Sequence, residues 1–178
     1  MFHAIAALAL ASASAAPSAT LTSSAPWWER VTVTVSDDGA THSCRYESSL
    51  QPQNAKDCSV VGAEPAMTKT SGSAGAKDQV TRITFERRFS PGTKPDMAAL
   101  QAGETLLGSQ VMALAIDGQG AVKGCKVVST AGTLPPKYGC DEAAAERFDA
   151  SASSAHAQVP SREGVMTVLV YGHSEHVV

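Results

Sequence analysis

The sequence is short of charge and of rings. Asp, Glu, Lys and Arg make up 17% of its 178 residues, Phe, Trp and Tyr 5%, and the formal net charge is -3. Nucleic-acid binding calls for a basic face and a solvating tail for long blocks of one sign, so both are excluded as expectations. No apolar run approaches the about 20 residues that a bilayer span requires. The four cysteines never come closer than 14 positions, without the short C-x-x-C step of a zinc site. There is no G-x-S-x-G elbow for a serine nucleophile. Phosphate-loop and dinucleotide fingerprints are missing as well, because the glycines of "DGQGAVKG" precede no helix. "SDDG" and "DGQG" do not continue into a calcium loop with a closing Glu. The chain is therefore expected to be non-enzymatic, with no cofactor and no metal.

What is present begins with "MFHAIAALALASASAAPSA". An apolar run from Ala4 to about Leu10 leads into the small-residue patterns Ala11-Ser12-Ala13 and Ala13-Ser14-Ala15. That layout predicts a secretory signal peptide over residues 1–15 and an exported protein, periplasmic or secreted.

A repeat follows. Moved by 81 positions, "VTVTVSDDGATHSCRYESS" (Val31 to Ser49) lies over "MALAIDGQGAVKGCKVVST" (Met112 to Thr130). Gly39 meets Gly120, Cys44 meets Cys125, and Arg45 meets Lys126. Alternation with period two predicts a strand before each turn, and Asp-Gly chemistry predicts a hairpin. A second strand then carries the first cysteine of each pair. A polar loop leads to the second cysteine, and a closing strand ends the unit. "VTRITF" (Val80 to Phe85) matches "VMTVLV" (Val165 to Val170) in its apolar positions. "CDEAAAERF" reads as a helix start, with Asp141 and Glu142 at its positive end. "AEPAMTKTSGSAGAKD" in the first copy reads as a loop. The expected fold is α+β, made of two related units of β-hairpin, cysteine loop, helix or loop, and strand. Residues 16–90 form the first unit, 91–105 a linker in which "DMAALQAG" makes one or two helical turns, and 106–178 the second.

Four cysteines permit three connectivities. If the two copies share a fold, each pair closes within its own copy, joining Cys44 to Cys58 and Cys125 to Cys140. In an oxidising compartment each bridge stabilises by about 3 kcal/mol.

The second copy resembles the carboxy-terminal domain of TonB-like periplasmic proteins. The resemblance lies in "GSQVMALAIDGQGAVKGCKVVSTAG" (Gly108 to Gly132), a strand, a D-x-x-G turn and a V-x-x-x-x-V-x-x-S-x-G strand. "CDEAAAERF" stands in the place of that family's helix, and "GVMTVLVYG" in that of its last strand. Some members carry a cysteine pair placed like Cys125 and Cys140. TonB proper has a membrane anchor and a long Pro-rich stretch, neither of which occurs here, so energy transduction is not implied. The resemblance implies a small periplasmic module that binds a protein of the cell envelope through an exposed sheet edge.

Several residues qualify as candidates for a site. Trp27 and Trp28 precede the first strand and either cover the end of a core or anchor a partner. "FERRF" sets Arg87 with Phe85 and Phe89 on one strand face, and Glu86 and Arg88 on the other. Arg87 and Arg88 are candidate partner contacts, weighed against charges placed on an edge strand to discourage aggregation. In "YGHSEHVV", His173 and Glu175 share a face and His176 takes the other, which would need a third ligand to hold a metal. Two further readings stand beside protein binding. One is a cell-envelope hydrolase with a cleft between the units; the other is a metal-handling protein using the terminal histidines.

Overall fold

The computed structural model describes residues 20–36, 41–51, 56–58, 79–150 and 161–176. The expected signal peptide, the expected turn at 37–40 and the expected loop of the first copy within 59–78 lie outside these residues. Strands β1 (Trp27–Ser36), β2 (Thr41–Ser48), β3 (Lys56–Asp57), β4 (Gln79–Pro91), β5 (Thr105–Ile116), β6 (Val122–Gly132) and β7 (Arg162–His176) join one helix, α1 (Cys140–Ala145). All seven strands form a single sheet in the order β3-β2-β1-β4-β7-β5-β6. Every pairing in it is antiparallel. The α+β expectation thus holds in a loose sense: the described residues form an antiparallel sheet with one short helix.

The offset of 81 seen in the sequence reappears in the hydrogen-bonded register. Val33 lies opposite Cys44 and Leu114 opposite Cys125. The β1–β2 ladder slips between Thr34 and Val35, and β5–β6 slips between Ala115 and Ile116, the corresponding step. Val31 pairs with Phe85 as Met112 pairs with Met166. One sequence match needs correction here. "VTRITF" corresponds in register to residues 161–166, not to 165–170, because the offset of 81 carries through to the closing strands. The two placements differ by four residues. A period-two pattern fits equally well after any even slip, so apolar positions alone could not choose between them.

The closing strands β4 and β7 zip the halves together over 13 pairs. Arg87 faces Val168, residues themselves 81 apart, and the pair Phe85–Val170 maps onto Phe89–Met166. The junction therefore has a pseudo-two-fold axis at Arg87–Val168. Both disulfides are formed within their own halves: Cys44–Cys58 with Cα atoms 5.0 Å apart, and Cys125–Cys140 at 5.5 Å. These distances are ordinary for a bridge.

Side chains alternate across the sheet. Trp27, Phe89, Met112, Leu114, Ile116, Met166 and Val168 point to one face, where Ala143 of α1, Leu21 and Phe148 complete the main core. Burying this set is the principal source of stability, at about 1.5–3 kcal/mol for each large apolar side chain. Trp27 stacks on Phe89 with centroids 5.7 Å apart, and Phe89 meets Phe148 at 5.0 Å. Gly164 stands under Phe89, whose ring occupies the space a Cβ would take. A second cluster, Val33, Val35 and Cys44, sits over the first half.

The chain entry ties the halves further. Leu21 donates to the Arg147 carbonyl and accepts from the Asp149 N–H, while Ser23 donates from both N and Oγ to Asp149 Oδ1 at 2.7 Å. Asp117 shapes the β5–β6 turn: its Oδ1 accepts from the N–H groups of Gln119 and Ala121, and Gly120 takes φ +82. That is the Asp-Gly chemistry expected of the sequence. At the start of α1, the Gly139 N–H donates to Glu142 Oε2 at 2.8 Å, but the helix ends after six residues. Residues 96–103, expected to make a helical turn or two, form no helix, and this connection crosses the other face of the sheet.

Candidate functional site

β4 is the fourth of seven strands, so "FERRF" lies at the centre of the sheet. This corrects the edge-strand expectation: the charges do not guard an edge. They alternate as the sequence indicated, Arg87 to the core face and Glu86 and Arg88 to the opposite one, and each must be neutralised locally because both faces are covered.

On the core face, Arg87 Nε and Nη2 donate to Glu29 Oε2 at 2.7 and 2.6 Å, and Nη1 donates to Glu146 Oε1. Its guanidinium lies 5.6 Å from the Trp27 ring centroid and 5.7 Å from that of Tyr138. Tyr46 donates to Glu29 Oε1 at 2.7 Å, and Tyr138 to Glu146 Oε1 at 3.1 Å. Burial alone would lower the Arg87 pKa, but Glu29 and then Glu146 outweigh it and raise it. The same carboxylates act on the phenols. Burial and the bond to Glu29 push Tyr46 up to about 12. Burial and Glu146 push Tyr138 up as well.

The opposite face repeats the arrangement. Arg88 Nη1 donates to Glu86 Oε1, while Nε and Nη2 reach Asp96 Oδ2 at 3.0 and 2.7 Å, pinning the connection to the sheet. Tyr171 donates to Glu86 Oε2 at 2.6 Å, and burial together with that bond raises its pKa. Arg30 Nε donates to Glu47 Oε2 at 2.7 Å and its guanidinium stands 4.8 Å from the centroid of the Trp28 ring. Trp28, Arg30, Glu86, Arg88 and Tyr171, with Ala98, Ala99, Gln101 and Glu104, line a cleft of about 240 Å³.

The four candidate partner contacts are therefore divided between faces. Trp27 is 2% exposed and covers the end of the core, as one reading of the pair had it. Trp28 lines the cleft. Both begin β1 rather than preceding it. Arg87 and Arg88 hold the interior of the two faces together. No protein-family model, curated protein or solved structure matches the chain.

His173 and Glu175 lie in β7 at positions paired with Arg82 and Val80 of β4. The side chains of Glu175 and His176 lie outside the described residues. Among the described residues no three His, Cys, Asp or Glu side chains gather as a metal site would require, and no helix is long and apolar enough to cross a membrane.

The feature that sequence reading located only in general terms is the free edge. The sheet ends in two unlike strands. β3 has two residues, whereas β6 has eleven, nearly all exposed, with Val127 at 42% and Val128 at 61%. Among the described residues no strand pairs with the outer side of β6. The signal in the sequence was the adjacent Val127-Val128 in a strand whose other residues are mostly Lys, Gly, Ser and Thr.

Proposed function

We propose that the chain is an exported, disulfide-stapled, non-enzymatic binding or scaffolding protein of the bacterial periplasm or cell envelope, and that it takes an extended segment of a protein partner along β6. The observation that carries this reading is the length and exposure of β6: a row of main-chain donors and acceptors beside two exposed valines suits strand addition. Natural sheets blunt such edges unless they are used. Two disulfides favour an oxidising compartment. The carboxylates at the sheet centre each hold an Arg and a Tyr, which leaves them poorly suited to general acid–base work and weighs against the hydrolase reading. The shared register supports descent of the two halves from one duplicated unit, and the β5–β6–α1–β7 half supports kinship with TonB carboxy-terminal domains.

The test is site-specific photocrosslinking in the native envelope, with the probe at Val128 and, as control, at Arg45 on β2. One envelope protein captured from Val128 alone, and rebound by the purified chain but not by a Val128→Pro variant that keeps its melting temperature, is the expected outcome. Equal capture from both positions, or none from β6, removes the reading.

A further inference from the structure

We propose that the cleft between residues 98–104 and the sheet is a second binding site, separate from the β6 edge, that takes a small zwitterion bearing an ammonium and a carboxylate: a free α-amino acid or a dipeptide. Its walls are polar, and its volume of about 240 Å³ lies just below that of drug-sized ligand sites, which suits a ligand of few atoms. Of the four charged groups lining it, Glu86 and Arg88 are already bound to one another. Glu86 accepts from Arg88 with one oxygen and from Tyr171 with the other, and Arg88 is shared between Glu86 and Asp96. Two groups retain unused polar atoms among the described residues. Arg30 spends Nε on Glu47, leaving its terminal nitrogens, and Glu104 spends Oε2 on the Gln101 N–H, leaving Oε1. Both line the cleft together with Tyr171.

A cation and an anion held at one cleft, each with hydrogen-bonding capacity to spare, select a ligand with both charges. A neutral ligand would leave the terminal nitrogens of Arg30 and Oε1 of Glu104 partly desolvated without a charged partner, and a singly charged one would satisfy only half of the site. The carboxylate would lie against Arg30, whose guanidinium the Trp28 ring supports, and the ammonium against Glu104. The surrounding charges refine the choice. Arg30 and Arg88, with Arg45 also on Glu47, stand against Glu47, Glu86, Asp96 and Glu104, an excess of one negative charge, so a basic side chain should be favoured over an acidic one.

Calorimetric titration of the full oxidised chain with lysine, alanine, alanyl-alanine, glutamate, acetate and methylamine tests this. Saturable binding of lysine, and of alanine or alanyl-alanine more weakly, with dissociation constants below about 10 mM is expected, and glutamate, acetate and methylamine should be weaker still. Arg30→Gln and Glu104→Gln should each weaken lysine binding about tenfold or more. Ala99→Trp fills the cleft without touching an ion pair and should abolish binding at an unchanged melting temperature. Absence of saturable lysine binding in this range, acetate or methylamine binding as tightly as alanine, or lysine affinity unaltered in the Ala99→Trp chain would each overturn the proposal.

Discussion

At the residue scale, one motif recurs at the centre of the sheet: a glutamate held at once by an arginine and a tyrosine. Glu29 and Glu146 share Arg87 and bind Tyr46 and Tyr138, and Glu86 binds Arg88 and Tyr171. All three tyrosines of the chain are in this motif, and all three have raised pKa values. A raised phenol pKa means that folding favours the protonated ring. The resulting stabilisation is complete below the unfolded value of about 10 and is lost as pH climbs through the folded values. For Tyr46 that window runs from about 10 to about 12. Tyrosinate absorbance should therefore stay low at pH 10.5 and rise together with loss of tertiary circular dichroism. Independent ionisation of one or more rings near pH 10 in the folded protein would contradict the motif. Arg87→Met should cost about 3 kcal/mol in urea denaturation, since it strands two carboxylates inside. Removing Glu29 and Glu146 along with Arg87 should cost less than Arg87→Met alone. Gly164→Ala forces a methyl group into Phe89 and should cost about 1–3 kcal/mol.

At the element scale, the two disulfides staple separate halves, closing loops with separations of 14 and 15 residues. Replacing either pair with serines should lower stability by about 3 kcal/mol, and the two losses should add because the bridges share no partners. Interaction between them beyond about 0.5 kcal/mol would show that the halves are not independently stapled. The hairpins, the β5–β6 turn and both bridges were legible because alternation, Asp-Gly spacing and cysteine position are local signals. The closing-strand register was not, since a period-two pattern is indifferent to an even slip. The helical turn expected in "DMAALQAG" does not form. Asp96 is drawn instead to Arg88, and Ala98, Ala99 and Gln101 line the cleft, which an isolated stretch of sequence does not encode. Nor could the sequence show that Arg87 would find Glu146, 59 residues away, or that "FERRF" would be central.

At the scale of the whole molecule, everything depends on β4 pairing with β7. That junction turns two hairpins into one sheet, buries Gly164 to Tyr171 on both faces, and leaves β6 as the long unpaired edge among the described residues. Segments on either side of the junction also cross it: Leu21 bridges to Phe148, and Arg87 to Glu146. The halves should consequently unfold together, in one transition. Native-state amide hydrogen exchange read residue by residue tests this arrangement most directly. The structure predicts that β4 and β7 are protected at every consecutive amide with the free energy of global unfolding. In β6 protection should alternate, with inward amides slow and outward ones fast. Fast exchange along β7, or uninterrupted protection along β6 in the isolated protein, would contradict it.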